Sequence, residues 1–183
     1  MFFDSFSSFT LNQKTTTMFK LNFLVNALAA LVPMIMGFIW YNPKILGSIW
    51  MKEAKLNEDE MKKGFNAPLV FGLSYLFSFF TAIGLNFVVI HQSQLASIVM
   101  NQLHAGDETA KQAVENFMAQ YGHNFRTFKH GVLHGIIFSV MFVLPIVGTN
   151  ALFERKSWKY IWINFGFWAV SFAIMGGIIC QFA

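Results

Sequence analysis

The stretch Gly37-Phe38-Ile39-Trp40-Tyr41-Asn42-Pro43-Lys44-Ile45-Leu46-Gly47-Ser48-Ile49-Trp50-Met51 decides how the chain is read, because an apolar run stops there at an aromatic pair and a lysine follows Asn-Pro. It reads as a membrane exit. Trp40, Tyr41 and Trp50 have apolar bodies and polar tips suited to headgroup depth, and Lys44 has a stem long enough to lift its ammonium into water. Pro43 biases Asn42 away from helix. Residues before this stretch are therefore expected in lipid, and those just after it on the membrane surface.

Working backward, no charged residue lies between Leu21 and Pro43, a run that spans about 30 Å of hydrocarbon at roughly 1.5 Å per residue. The run exceeds the roughly 7–15 residues of a signal-peptide core and lacks a small-x-small cleavage site. Asn22 and Asn26 lie four apart on one face, where amides usually bond a neighbouring helix. Residues 1–17 mix Phe with Ser and Thr without a period and read as a tail; Met18 offers an alternative start.

Working forward, Ile45, Leu46, Ile49 and Trp50 recur at helical spacing between lysines, as in a helix lying in the interface. Asn57 and Glu60 form a capping pattern for a short charged turn ending at Gly64. The acidic run Glu58-Asp59-Glu60 beside Lys62 and Lys63 reads as a solvated helix end rather than a metal site.

The second span is expected over 67–91, with Pro68 in its first turn and Ser74, Ser78 and Ala82 as a small-residue strip. The connection 92–129 is the longest. Gly106-Asp107 starts an amphipathic helix within it, with Ala110, Val114, Phe117 and Tyr121 on one stripe. The third span is expected over 131–153. Gly131, Gly135 and Ser139 form a second small-residue strip, and Pro145 should kink the helix. A fourth span, 159–181, follows the hydrophilic turn Glu154-Arg155-Lys156 and an aromatic belt of Trp158, Tyr160 and Trp162.

Composition agrees with lipid as the solvent: 55% of residues are hydrophobic, only 12% are charged, 23 are Phe, and mean hydropathy is +0.49. Net charge is +4, but the cations are scattered at helix ends with no stripe, which argues against nucleic acid. Lys44, Lys52, Lys55, Lys62, Lys63, Arg155, Lys156 and Lys159 flank the first and third connections, against Lys14, Lys20, Lys111, Arg126 and Lys129 on the other side. That bias places the short connections in the cytoplasm and both termini outside it. Cys180 is the only cysteine, so no disulfide forms within the chain.

His130 and His134 carry the strongest chemical signal, since imidazoles four apart on a helix share a face and can hold a divalent metal. His104 and His123 are available to complete such a site. The pair is not a His-Glu-x-x-His zinc-hydrolase motif, because Gly131 follows His130 and no carboxylate lies between the histidines. No phosphate loop, nucleophile elbow, dinucleotide fingerprint or intramembrane carboxylate is present, which lowers the case for catalysis and coupled transport.

The exit Gly37 to Pro43 with Trp50-Met51, the turn Leu152-Phe153-Glu154-Arg155-Lys156-Ser157-Trp158 and Met175-Gly176-Gly177 together resemble the small bacterial membrane proteins catalogued as domain of unknown function 1761. The resemblance runs from about Met18 to the C-terminus. It implies a four-span bacterial inner-membrane protein without an assigned activity, so no catalytic residues are carried over. The tail and the long second connection depart from the shorter members.

The expected fold is therefore all-α: one polytopic domain over 18–183 with four transmembrane helices and interfacial amphipathic helices. The expected function is a non-enzymatic scaffold or accessory subunit that self-associates or joins a membrane complex, with Ser74, Ser78, Ala82, Gly131, Gly135 and Ser139 as its packing residues. One alternative is a small channel or transporter with a polar path lined by Asn22, Asn26, Asn86, His134 and Asn164. Another is a metal-binding membrane enzyme using His130 and His134; a divalent metal is the one cofactor considered, and the bilayer the one sure partner.

Overall fold

The computed structural model describes residues 21–183 and is helical throughout, with no strand among the described residues. The expected tail, Met18 and the cations Lys14 and Lys20 lie outside the described residues. Four helices are long and apolar enough to cross a membrane: Phe23–Trp40, Ala67–Val89, Phe128–Phe153 and Trp158–Phe182. The all-α polytopic architecture expected from the charge-free runs is thus present.

Two compact units make up the described chain. The membrane unit comprises 21–91 and 123–183, and the fourth span is its centre, packing against the other three. Its buried face carries Ile161, Phe167, Phe172, Met175 and Ile179, against which Ala29, Ala82 and Leu85 of the first two spans are also buried. The third span meets the fourth at backbone contact. An added Cβ at Gly131 would lie 2.1 Å from the Gly176 oxygen, and one at Gly135 would lie 2.2 Å from the Phe172 oxygen. Ser139 is buried with its hydroxyl donating to the Gly135 carbonyl at 2.8 Å.

Prolines set the irregularities. Pro33 has no N–H for the carbonyl one turn earlier, and the first span divides at Ala30 into Phe23–Ala29 and Leu31–Trp40. Ahead of Pro145 the third span takes a π-helical turn, Ser139–Val143, which absorbs the missing donor inside a continuous span. After the exit, the Asn42 side chain caps the π-helical turn Pro43–Gly47, and the surface helix Ser48–Ala54 ends at Lys55 in the left-handed conformation (φ 61°).

The exit aromatics differ from expectation. Their polar tips turn to the fourth span rather than to headgroups: Trp40 Nε1 donates to the Ile163 carbonyl at 3.0 Å, and Tyr41 Oη and Trp50 Nε1 donate to Asn164 Oδ1 at 2.9 and 3.3 Å. A donor at the edge of hydrocarbon is better satisfied by a fixed protein acceptor than by mobile headgroups. Beside them the Ser157 hydroxyl donates to Glu53, and Lys156 donates to the Ala54 carbonyl at 2.7 Å.

The second unit, described over Gln92–Gly122, consists of Gln92–Ile98, Met100–His104 and Glu108–Tyr121. Asp107 caps the last of these through the Thr109 and Ala110 amides, Val114 on its expected apolar stripe is buried, and the Phe117 and Tyr121 rings lie 5.0 Å apart. Within this unit Gln92 Nε2 donates to the Tyr121 carbonyl at 3.2 Å.

Candidate metal centre

The second span ends at Val89, where Ile90 turns extended (φ −112°, ψ 95°) and delivers His91 to the membrane face. The third span begins earlier than expected, at Phe128, because the Thr127 hydroxyl accepts from the His130 amide at 3.2 Å and caps it. His130 and His134 thus lie on the first two turns of this helix. Consecutive antiparallel spans bring their joined ends to one face, so His91 meets His130.

Several contacts hold these ends in place. The buried Cys180 thiol lies 3.3 Å from both the Val89 and the Phe125 carbonyls, tying the end of the second span and the approach to the third onto the fourth. Arg126 donates to the Cys180 carbonyl at 2.9 Å and to the Ala183 carbonyl, satisfying the last turn of that span. Burial draws the Arg126 pKa below its ordinary value, opposed by its attraction to Cys180. Phe125 adopts φ 61°, an unfavourable conformation for a bulky residue, and its ring lies 5.2 Å from that of His130.

The result is a cluster of three imidazoles. His91 Nε2 and His130 Nε2 are 3.0 Å apart, one donating and the other accepting, and ligand nitrogens of His91, His130 and His134 all lie within 4.8 Å of one another. Ring centroids are 4.4 to 5.0 Å apart. Zn–N bonds of about 2.0–2.1 Å in a tetrahedron place ligand nitrogens roughly 3.3 Å from each other, so a small rotation of the rings suffices to enclose an ion. His91 is exposed and the other two half-buried, so the cluster is reachable from the surface. No carboxylate or thiolate belongs to the group. An all-imidazole set suits Zn²⁺, Cu²⁺ or Ni²⁺ and not the oxygen-seeking Mg²⁺ or Ca²⁺.

His130 and His134 come together as their spacing implies, but the third imidazole is His91, not His104 or His123. His104 belongs to the Gln92–Gly122 unit. The missed signal was topological: His91 closes one span and His130 opens the next.

The five residues proposed for a polar path fall into separate groups. Asn22 caps the first span through the Val25 amide, Asn26 Nδ2 donates to the Asn22 carbonyl at 2.8 Å, and Asn86 Nδ2 donates to Asn26 Oδ1 at 2.6 Å. Asn26 and Asn86 are fully buried, a hydrogen-bonded bridge between the first two spans. Asn164 instead serves the exit aromatics, while His134 joins the imidazoles. Among the described residues, Phe167, Phe172 and Met175 fill the interior alongside Ser171, whose hydroxyl donates to its own helix at the Phe167 carbonyl. Ser78 and Ala82 are buried, and Ser74 lines a slot between the first and second spans.

A four-span α-helical chain with an imidazole cluster at one membrane face is the class of protein these features define. The chain belongs to the family whose profile is described as "Protein of unknown function (DUF1761)", which matches residues 24–180. No curated protein and no solved structure matches it.

Proposed function

We propose that this protein is a metal-binding integral membrane protein that holds one divalent ion of the Zn²⁺, Cu²⁺ or Ni²⁺ class through His91, His130 and His134. The observation that supports it is the convergence of three ligand nitrogens within 4.8 Å, drawn from the ends of two different spans. Imidazoles crowded this closely have little to offer one another, since only one N–H···N bond joins them, whereas an ion engages all three lone pairs at once. The Lys and Arg bias supports an inner-membrane topology with the ion site away from the cytoplasm.

The test is metal analysis by native mass spectrometry on protein extracted without chelator and supplied with micromolar Zn²⁺. One ion per chain is expected, lost in both His91→Ala and His134→Ala. Wild-type protein that takes up no stoichiometric metal refutes the reading.

A second reading, an accessory subunit or scaffold, draws on the third span, whose Val140, Met141, Phe142 and Ile146 are exposed. Both small-residue strips that motivated self-association face inward, in whole or in part, so an outer face is the surface left for assembly. Crosslinking in native membranes through cysteines placed at Met141 and Ile146 is expected to trap a partner or a second copy; a monomer with no crosslinked product ends this reading.

A further inference from the structure

The first and second spans are fastened to each other ahead of the break at Ala30 and leave a slot beyond it. Asn86 Nδ2 donates to Asn26 Oδ1 at 2.6 Å, and Tyr75 Oη donates to the Ala27 carbonyl at 3.1 Å. Past the break, a slot of about 580 Å³ opens between the spans, with Gly37 and Phe38 on one wall, Phe71 and Phe77 on the other, and Trp168 of the fourth span at its base. That volume falls within the roughly 300–1,000 Å³ of small-molecule sites. Phe38 and Phe77 are exposed, so the slot is entered sideways from the hydrocarbon.

Its hydroxyls set it apart. A serine or threonine inside a helix commonly donates to the carbonyl one turn back, and Thr81, Ser139 and Ser171 do so at 2.8 to 2.9 Å. Ser74 and Ser78 line the slot and do not. Among the described residues neither hydroxyl has a partner, although Ser78 is only 4% exposed. An unpaired hydroxyl in hydrocarbon is costly, and these two stand on one helix face about 6 Å apart along the axis. The spans that form the walls carry no charge over 23–40 or 67–89, so a ligand lying between them is neutral. An acyl chain would fill the slot and leave both hydroxyls unpaired. A flat ring with a carbonyl on each of two opposite sides accepts from both, since its oxygens are separated by nearly the spacing of the serines. Its faces and edges also suit the surrounding Phe71, Phe77 and Trp168 rings. We propose that the slot binds one lipid-soluble quinone, with its two carbonyls at Ser74 and Ser78 and its apolar tail leaving past Phe38 and Phe77 into the bilayer.

The experiment reconstitutes the full chain in phosphatidylcholine nanodiscs, adds decylubiquinone, and counts retained ligand by native mass spectrometry. One quinone per chain is expected, held at least about tenfold more tightly than decylbenzene, which has a ring and the same tail but no carbonyl. Ser74→Ala combined with Ser78→Ala should remove that preference while leaving the Tm and the retention of decylbenzene unchanged. Gly37→Leu should expel both ligands by filling the slot, and the fold has room for it because an added Cβ at Gly37 has no neighbour nearer than 4.0 Å. No quinone retained by the wild type, equal retention of the two ligands, a preference that survives in the double variant, or phospholipid held in the slot against excess quinone overturns the inference.

Discussion

The two ends of the membrane unit use polar side chains in opposite ways. At the exit, Asn164 Oδ1 takes hydrogen bonds from Tyr41 and Trp50 while its own Nδ2 donates to the Tyr160 carbonyl at 2.8 Å. Every group there has a partner of fixed geometry, and the outcome is a locked corner between the first and fourth spans. At the other end, three imidazoles crowd together beside a backbone strained at Phe125, with one hydrogen bond between them. Saturated polar groups stabilise a fold; convergent unsaturated ones await a ligand. The contrast supports the proposal that the histidine end binds a ligand while the exit serves the fold.

The largest expected effect comes from the shared foundation of the histidine end. Gly131 lies between the two helical histidines in sequence and against Gly176 in space, with Cys180 Cβ 2.6 Å from where its own Cβ would be. Gly131→Val must separate the third and fourth spans against backbone atoms that cannot give, costing about 3 kcal/mol or more. Thermal unfolding in detergent should show a Tm well below wild type. A Tm unchanged within error means that the two spans do not pack this closely.

Next is the ion itself. His91→Ala should leave the Tm of the metal-free protein near wild type, because the ring is exposed, yet reduce Zn²⁺ affinity about a hundredfold or more in competition with a chelating dye. His104→Ala should change neither quantity. If the two variants behave alike, the histidine end is as inert as the exit and the comparison fails.

At the exit, Asn164→Ala should show the reverse pattern: a loss of about 1–3 kcal/mol, from leaving the Tyr41 hydroxyl and Trp50 N–H without their acceptor, with metal affinity unchanged. Chemical denaturation beside the same dye competition reads both. Metal affinity that falls along with stability would show the two ends to be coupled through the fourth span.

How far these ends were legible in the sequence differs in the same way. The spans stood out because residues such as Leu21 to Pro43 carry no charge, and hydrocarbon enforces that rule strictly. The start of the third span did not, since Lys129 and His130 look like a boundary until Thr127 is seen capping the helix beneath them. The strip of Gly131 and Gly135 announced a close approach without naming the helix approached, because small residues carry no address. Asn164 and Tyr41 are 123 positions apart, and no local pattern pairs them. His91 was hidden for a simpler reason: its partners lie 39 and more residues on, and only the antiparallel turn of the chain unites them.

The smallest expected effect is the most discriminating, and it concerns Phe125. Its φ of 61° costs a bulky residue about 1–2 kcal/mol relative to glycine, yet in this conformation its ring sits against His130 and its carbonyl faces Cys180. Phe125→Gly keeps the backbone and its carbonyl, relieves the strain and removes only the ring. If the ring orients His130 for the ion, this variant should be as stable as wild type or slightly more so, while Zn²⁺ affinity falls about tenfold, the scale of losing a support behind a metal ligand. Substituted Co²⁺ should report the change through its visible absorption bands, which follow ligand geometry and not global stability. A variant that loses stability and affinity in proportion would reduce Phe125 to packing. One that holds the ion as tightly as wild type would leave the strain at this turn without a part in binding, and His91 and His134 would then have to fix the position of the third imidazole themselves.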